Sequence, residues 1–176
     1  MRKSKGIIET NSITDIHCHI LPNIDDGAKD VEISVNMAQI ALAEGINRII
    51  ATPHFDPDAN NMEDFIAKRA EAISHLTDEL KARGIEIDIF PGAEVYLTPS
   101  LLNLDGLENL CLGNSRYMLI EISIMAIPRW LDEILYSIQL RGITPILAHP
   151  ERYINMVKSP KLLEELVEKG LLLQVN

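Results

Sequence analysis

Residues 31–54 of the chain have the sequence VEISVNMAQIALAEGINRIIATPH, which predicts a helix, a glycine stop, a strand and a terminal histidine in that order. Apolar residues recur every three to four positions before Gly45, as on one buried face of a helix. The β-branched run at 46–51 is typical of a buried strand. The unit ends at His54, so a potential ligand follows the strand directly.

The order of helix, glycine and strand recurs four times along the chain. The spacing predicts helices over 31–44, 62–83, 130–140 and 160–169, each followed within two residues by glycine. It predicts strands over 13–18, 46–51, 85–90, 117–122, 143–148 and 171–175. Strands that alternate with helices favour an α/β fold with a parallel sheet, wound either as an open doubly wound sheet or as a barrel.

The positions of polar residues after the predicted strands distinguish between these two architectures. Ligand-type side chains follow five strands: His17 and His19, His54, Glu94, Glu121, and His149 with Arg152. An open sheet concentrates function at one switch point, whereas an α/β barrel gathers residues from many strand ends. We therefore predict a barrel. Only six strands can be counted, so we expect the barrel to be incomplete at its C-terminus, either as a fragment or with a wall supplied from elsewhere.

Composition excludes several classes of protein. The chain has 176 residues, with 16 Lys and Arg against 26 Asp and Glu, and its net charge of −10 argues against nucleic-acid binding. No apolar run is long enough to insert into a membrane. Two cysteines cannot form a disulfide framework, so we expect reduced thiols and a cytoplasmic location. We expect residues 1–12 to form a flexible extension and residues 13–176 a single domain.

The histidines after the first two strands are candidate metal ligands. His17 and His19 are two residues apart, so a strand projects both side chains to one face, where one cation can take both. Asp15 lies on that face and can orient a ligating imidazole, or can simply accept a hydrogen bond at the base of the strand. His54 follows Pro53, which restricts the backbone just before the imidazole. Taken singly, each of these histidines is as readily a core or surface residue.

Two glutamates complete the candidate set. Glu121 is the one charge in an apolar strand, and because a buried, unpaired carboxylate is costly, it must be paired, protonated or metal-bound. Pairing with Arg116 or Arg152 is the structural alternative. Glu94, at the mouth of the third strand, is well placed to bridge two cations.

We therefore predict that seven residues with nitrogen or oxygen ligand atoms lie close together: His17, His19, Asp26, His54, Glu94, Glu121 and His149. The absence of a thiolate from this set favours a catalytic cluster of Zn²⁺, Mn²⁺ or Fe²⁺ over a structural cysteine site. Seven ligands exceed the needs of one tetrahedral ion, so at least two ions are expected. The sequence has no thiol-phosphatase loop, nucleophile elbow, Walker loop or dinucleotide fingerprint.

The same residues, in their order, resemble a known family. The segments Asp15-Ile16-His17-Cys18-His19, Asp25-Asp26-Gly27, Thr52-Pro53-His54, Pro91-Gly92-Ala93-Glu94 and His149-Pro150-Glu151-Arg152 are similar to motifs of bacterial manganese-dependent protein tyrosine phosphatases. These enzymes of capsule and exopolysaccharide loci belong to the polymerase and histidinol phosphatase (PHP) superfamily. The resemblance implies a distorted TIM-like PHP (βα)7 barrel. The family pattern continues to a Ser-Asp-Ala-His motif that has no counterpart here, so we expect a truncated chain.

The resemblance also implies a ligand assignment. It places His17 and His19 on one ion, which Glu94 bridges to a second ion held by Glu121 and His149. It places the remaining two ligands, Asp26 and His54, on a third ion. Two to three ions per chain are expected, as Mn²⁺ or as Fe²⁺, Co²⁺ or Zn²⁺.

The implied reaction is hydrolysis of protein phosphotyrosine by metal-hydroxide attack on phosphorus. Arg152 is similar to the phosphate-binding arginine of the family, and a surface ion pair is its structural alternative. Phe55 opens a loop that we expect to flank the substrate's phenyl ring. The expected partner is the phosphotyrosine-bearing tail of a bacterial tyrosine kinase, with homo-oligomers left open. The alternatives are a histidinol-phosphatase-like phosphoesterase and an inactive scaffold that binds phosphotyrosine.

Overall fold

The computed structural model describes residues 13–176, and the predicted extension at 1–12 lies outside the described residues. This part of the chain is a mixed α/β structure. The strands are β1 (Ile13–Cys18), β2 (Ile46–Ala51), β3 (His54–Phe55), β4 (Asp88–Pro91), β5 (Glu94–Tyr96), β6 (Tyr117–Glu121), β7 (Thr144–Ala148) and β8 (Leu172–Gln174). The helices are α1 (Val31–Ala43), α2 (Met62–Ala82), α3 (Leu131–Leu140), α4 (Ile154–Val157) and α5 (Pro160–Glu168). Short 3₁₀ segments lie at Pro99–Asn103, Leu107–Leu110 and Pro150–Arg152.

The strands pair in parallel in two sheets, with the orders β1-β2-β4 and β3-β5-β6-β7-β8. β3 continues the path of β2 after Thr52 and Pro53, and β5 continues that of β4 after Gly92 and Ala93. The spatial order of the strands therefore follows the sequence without reversal. A doubly wound sheet reverses its strand order at a switch point, so this order argues against that architecture.

The described strands do not close into a barrel. Within residues 13–176 no backbone ladder joins β1 to β8, so the barrel prediction is not confirmed and the parallel α/β arrangement is. The two ends of the strand series nevertheless approach each other, because His17 Nδ1 of β1 lies 2.7 Å from Gln174 Oε1 of β8. The two sheets therefore curve so that the first strand, β1, and the last strand, β8, come close to each other.

Capping side chains fix the starts of two helices, and glycines follow the helix ends as the sequence predicts. Asp30 accepts a hydrogen bond from the Ile33 amide (2.9 Å) at the start of α1, and Asn61 accepts one from the Asp64 amide (3.0 Å) at the start of α2. The glycines after α1, α2, α3 and α5 all have positive φ, the left-handed conformation that ends a helix. The predicted helix bounds differ from the observed ones by a single residue.

One buried cation supports the turn between β4 and β5. Arg69 of α2 is 5% exposed and donates hydrogen bonds to the carbonyl oxygens of Gly92 (2.5 Å) and Asn109 (2.8 Å). Its guanidinium also lies 5.2 Å from the centre of the Phe65 ring. At Gly92 a Cβ atom would lie 2.8 Å from Ile50 Cγ2, so the turn packs directly on β2. The segment that leads into Glu94 is therefore held from two sides.

Apolar residues fill the space between the strands and the helices. One cluster packs α1 and α2 on β2, and a larger one packs α3 and the 3₁₀ segments on β5, β6 and β7. In the described part of the chain, no helix combines the length and hydropathy that a bilayer crossing requires.

Candidate metal centre

The carboxylate of Glu94 lies among four imidazoles at the carboxyl end of the strands. Glu94 is 1% exposed. Its Oε2 lies 3.2 Å from His17 Nε2 and 3.1 Å from His19 Nε2. The same oxygen lies 3.4 Å from His54 Nδ1. Its other oxygen, Oε1, lies 2.7 Å from His149 Nε2. The buried carboxylate of Glu94 thus contacts imidazoles from three other segments of the chain: the end of β1, the start of β3 and the end of β7.

Two further carboxylates extend this cluster toward solvent. Glu121 Oε1 lies 3.0 Å from His54 Nδ1, and Glu121 Oε2 lies 3.8 Å from His149 Nε2. Asp26 Oδ1 lies 3.5 Å from His54 Nε2. All seven predicted ligands line one pocket of about 440 Å³, together with Gly27, Arg152 and Asn176. The arginine pairing considered for Glu121 is not found among residues 13–176.

Backbone contacts bring the strand ends together. The Thr52 amide donates to the Cys18 carbonyl and the Thr52 hydroxyl accepts from the Cys18 amide, both at 2.9 Å. At Gly27 a Cβ atom would lie 2.3 Å from the His19 carbonyl oxygen, so only glycine lets this loop pack on the first strand. His149 ends β7 in the left-handed conformation (φ 38°), and its amide donates to the Gln174 carbonyl (2.8 Å).

The cluster binds protons strongly when it holds no cation. Burial alone would raise the pKa of Glu94, but hydrogen bonds from His149, His17 and His19 outweigh it and lower the pKa. Burial alone would lower the pKa of His19, but Asp25 and Glu94 raise it to about 10. The hydrogen bond that His54 donates to Glu121 raises the pKa of His54 against the effect of burial. A cation that enters this centre must therefore displace protons.

The donor set fits divalent metal ions. Three groups of potential ligand atoms lie within 4.8 Å of one another: His17, Glu94 and His149; His19, His54 and Glu94; His19, Asp25 and Asp26. Two ligand atoms about 2.1 Å from a common ion lie roughly 3.0–3.4 Å apart. The distances of 3.1, 3.2 and 3.4 Å from Glu94 Oε2 to three imidazoles fall in that range. Nitrogen and oxygen ligands without thiolate are typical of Mn²⁺, Fe²⁺ and catalytic Zn²⁺ sites.

The thiol beside this cluster has no nucleophilic character at neutral pH. Burial, reinforced by the charge of Asp15, raises the pKa of Cys18 to about 12. A thiolate attack of the kind used by cysteine-dependent phosphatases is therefore disfavoured at this position.

Arg152 lies at the edge of the pocket, in the 3₁₀ segment Pro150–Arg152 that follows β7. It forms no ion pair within the described residues, so its guanidinium is free to bind an anion at the pocket. The alternative of a surface ion pair for Arg152 is not observed.

Two sequence predictions around the site are wrong in this geometry. Phe55 is 0% exposed and packs on Phe65, with ring centres 4.9 Å apart, so it belongs to the core and not to a substrate contact. Alternation along β3 explains this, because His54 faces the pocket and its neighbour faces the opposite side. Within the described residues Asp15 makes no hydrogen bond to an imidazole ring: its Oδ1 accepts from the His17 backbone amide (3.0 Å), which is the second of the two roles considered for it.

Sequence reasoning missed two residues that contact the imidazoles. Asp25 Oδ2 lies 2.6 Å from His19 Nδ1, and Gln174 Oε1 lies 2.7 Å from His17 Nδ1. Asp25 stands next to the predicted ligand Asp26, and the sequence alone does not tell which carboxylate turns toward the ring. Gln174 is a polar residue in an otherwise apolar last strand, a signal that was available.

Comparisons with known proteins find relatives of this chain among tyrosine-protein phosphatases. Tyrosine-protein phosphatase YwqE of Bacillus subtilis (strain 168) is 38% identical over 163 residues, which cover 92% of this chain and 63% of that protein. Tyrosine-protein phosphatase CpsB of Streptococcus pneumoniae is 34% identical over 174 residues, covering 92% of this chain and 66% of that protein. The chain thus spans slightly less than two thirds of the length of these relatives.

A solved structure has a similar fold. One chain from the crystal structures of YwqE and of S. pneumoniae CpsB, described as unique metal-dependent tyrosine phosphatases, superposes with a TM-score of 0.84 at 38% identity. The match covers 93% of this chain and 66% of that one. Residues 13–176 match the family described as capsular polysaccharide synthesis, CpsB/CapC. The chain therefore belongs to the CpsB/CapC family.

Proposed function

We propose that this chain is a metal-dependent phosphatase that hydrolyses phosphotyrosine in proteins. The observation that carries the proposal is the buried Glu94 carboxylate with four imidazoles within 3.4 Å of its oxygens. The names of the relatives support the choice of substrate. Because the chain spans only 63–66% of their lengths, their activity is proposed for it and not carried over.

The proposed metal ligands are the seven side chains of the pocket: His17, His19, Asp26, His54, Glu94, Glu121 and His149. We propose Mn²⁺ as the ion, with two to three ions per chain. Such cations, when bound, lower the pKa of water toward neutrality and offset negative charge on a phosphoryl group.

Arg152 is the proposed phosphate-binding residue. Its planar guanidinium can donate two hydrogen bonds to nonbridging phosphate oxygens and can stabilise charge that develops on them. A protein of net charge −10 would otherwise repel a phosphate dianion. We therefore propose that Arg152 and the bound cations supply the positive charge that attracts the substrate to this pocket.

Leaving-group chemistry favours an aryl phosphate as the substrate. A phenol has a pKa near 10, so phenolate leaves with less help from a general acid than an alkoxide needs. The pocket mouth is open, since the side chains of Asp26 and His54 are 82% and 39% exposed. An open mouth admits a flexible peptide segment, and we propose the tyrosine-bearing tail of a capsule-type tyrosine kinase as the natural substrate.

Substrate comparison tests this proposal. The 176-residue chain is stripped with a chelator, reloaded with Mn²⁺ and assayed on a phosphotyrosine peptide, its phosphoserine counterpart and histidinol phosphate. We expect turnover that depends on Mn²⁺ and is fastest on phosphotyrosine. Faster turnover of histidinol phosphate would instead assign a different phosphoesterase activity. Peptide binding without turnover would assign a scaffold.

A further inference from the structure

Two imidazoles of the cluster share an arrangement that the predicted ligand set does not explain. His17 and His19 both direct Nε2 at Glu94 Oε2. Their other ring nitrogens point away from Glu94, His17 Nδ1 to Gln174 Oε1 at 2.7 Å and His19 Nδ1 to Asp25 Oδ2 at 2.6 Å. Each ring is thus held between the shared carboxylate and an oxygen outside the seven proposed ligands.

The amide of Gln174 is oriented by its own hydrogen bonds. Its Nε2 donates to the Val175 carbonyl and to Asn176 Oδ1, both at 3.0 Å, which leaves Oε1 to face His17. An amide oxygen only accepts hydrogen bonds, so His17 Nδ1 must carry the proton of this contact. The Nε2 lone pair of His17 is then available toward Glu94.

The carboxylate of Asp25 is held even more firmly. Its side chain is 5% exposed, and its two oxygens also accept the backbone amides of Gly27 (3.0 Å) and His54 (3.2 Å). An ionised carboxylate has no proton to donate, so His19 Nδ1 must donate to it. The distance of 2.6 Å fits a charge-assisted hydrogen bond.

A third imidazole provides an internal contrast. His149 also directs Nε2 at Glu94, but its Nδ1 is buried and has no hydrogen-bond partner within the described residues. An external partner is therefore a specific feature of the two histidines on the first strand. It does not arise from packing imidazoles around Glu94 in general.

We propose that Asp25 and Gln174 are positioning residues that hold the Nδ1 protons of His19 and His17 and so present Nε2 of each ring as the metal ligand. A hydrogen bond behind a ligating histidine fixes its tautomer and ring orientation, and its loss typically weakens metal binding by about 10–100-fold. The inference rests on the proposed metal centre.

Ring-proton NMR tests the tautomers directly. The chain, labelled with ¹⁵N in its histidine rings, is loaded with Zn²⁺ as a diamagnetic probe. We expect slowly exchanging ring N–H signals at Nδ1 of His17 and His19, the His19 signal lost in Asp25→Ala and the His17 signal lost in Gln174→Ala, while the Nδ1 signal of His149 stays the same in both variants. Nε2 protons on His17 or His19, or His17 and His19 signals that persist in both variants, would overturn the proposal.

Mn²⁺ titration by calorimetry measures the effect on affinity. We expect Asp25→Ala and Gln174→Ala to weaken at least one binding step by about 10–100-fold. Gln174→Glu keeps an oxygen acceptor for His17 and should bind close to the wild type, which tests the same point if the alanine variants fail to fold. Asp58→Ala, which removes an exposed charge from the loop after β3, is the matched control and should leave affinity unchanged.

The outcomes separate this inference from the proposed function. A wild-type chain that binds neither Mn²⁺ nor Zn²⁺ contradicts both. A wild-type chain that binds metal, with Asp25 and Gln174 variants of unchanged affinity, overturns the positioning roles and leaves the proposed phosphatase intact.

Discussion

Glu94 Oε1 and His149 Nε2 lie 2.7 Å apart although 55 residues separate them along the chain. The contact follows from strand pairing, since β6 is the single strand between β5 and β7 in the sheet order. Both side chains are almost fully buried, at 1% and 3% exposure. This pair is therefore the floor of the candidate centre, and the more exposed Asp26 and His54 form its rim.

Replacing the shared carboxylate should remove more than one ion. In Glu94→Gln the side chain keeps its shape but loses the charge and one of the two oxygens that face imidazoles, so we expect the loss of at least two ions per chain. Metal content is measured by mass spectrometry after dialysis against Mn²⁺. Glu71→Gln, an exposed change on α2, is the control. Equal metal content in both variants would refute a bridging role for Glu94.

Replacing Arg152 should impair turnover without releasing metal. Arg152→Lys keeps the positive charge but loses the two-pronged donor geometry, so we expect kcat/KM on a phosphotyrosine peptide to fall by about 10²–10³. Arg129→Lys, an exposed change outside the pocket lining, should retain wild-type kinetics. If both lysine variants turn over substrate equally, the phosphate-binding role of Arg152 is wrong.

Thiol reagents should leave the activity intact. Because burial and Asp15 raise the pKa of Cys18 to about 12, its thiol stays protonated at neutral pH and reacts slowly with iodoacetamide. Cys111 has a pKa raised to about 11, again mainly by burial. We expect turnover to survive iodoacetamide treatment at neutral pH and alkylation to accelerate as the pH rises. Rapid inactivation that tracks labelling of Cys18 would contradict a metal-based mechanism.

The stability of the metal-free chain should fall in alkaline solution. The pKa of His19 is raised from 6.5 to about 10, so its contribution to folding is fully present below pH 6.5 and is lost as the pH rises through about 10. The lowered pKa of Glu94 acts at the other end, and its contribution is lost as the pH falls below its ordinary value of 4.5. Thermal unfolding with a chelator should show a Tm that decreases over the alkaline window.

Mn²⁺ provides the control for that measurement. Metal binding displaces the proton from His19, so the gain in Tm on adding Mn²⁺ should increase with pH over the same window. A gain in Tm that does not vary with pH would show that the imidazole proton and the cation do not compete.

Removing the buried cation beneath Glu94 should destabilise the fold. Arg69→Met leaves the carbonyl oxygens of Gly92 and Asn109 without their donor, and stranding the buried carbonyl of Gly92 costs about 1–3 kcal/mol. Arg48→Met is a matched control, since Arg48 lies at the surface with its nearest carboxylate, Asp88, 3.9 Å away, and should change stability by less than about 1 kcal/mol. Urea unfolding of the two variants measures the difference. An equal change in the free energy of unfolding in the two variants would show that the hydrogen bonds of Arg69 do not stabilise the fold.

Periodicity and glycine placement predicted the long elements well. α1 and α2 each bury one face and end where glycine takes positive φ, and these features are local in sequence. β3 and β5 were missed because strands of two and three residues are too short to show an alternating pattern. The strand predicted at 85–90 begins only at Asp88, since pairing with β2 sets its start.

Convergence of the pocket residues could be inferred because six of the seven, all except Asp26, lie at or just after the end of a parallel strand, and such strands end at one edge. The contacts behind the imidazoles could not be inferred in the same way. Asp25 and Asp26 are adjacent acids in one loop, and only the fold of that loop turns one toward His19 and the other toward His54. Phe55 was misplaced because the short strand β3, whose alternation buries it, was not predicted.

The contact between His17 and Gln174 spans 157 residues of sequence, so His17 gains its proposed positioning contact only when β1 and β8 have come together. Contacts of such long range form late, after shorter loops have closed. A nascent polypeptide that has emerged only through α3 presents the first histidines without the last strand that braces them. The full cation affinity of the proposed centre would therefore develop only after translation of β8.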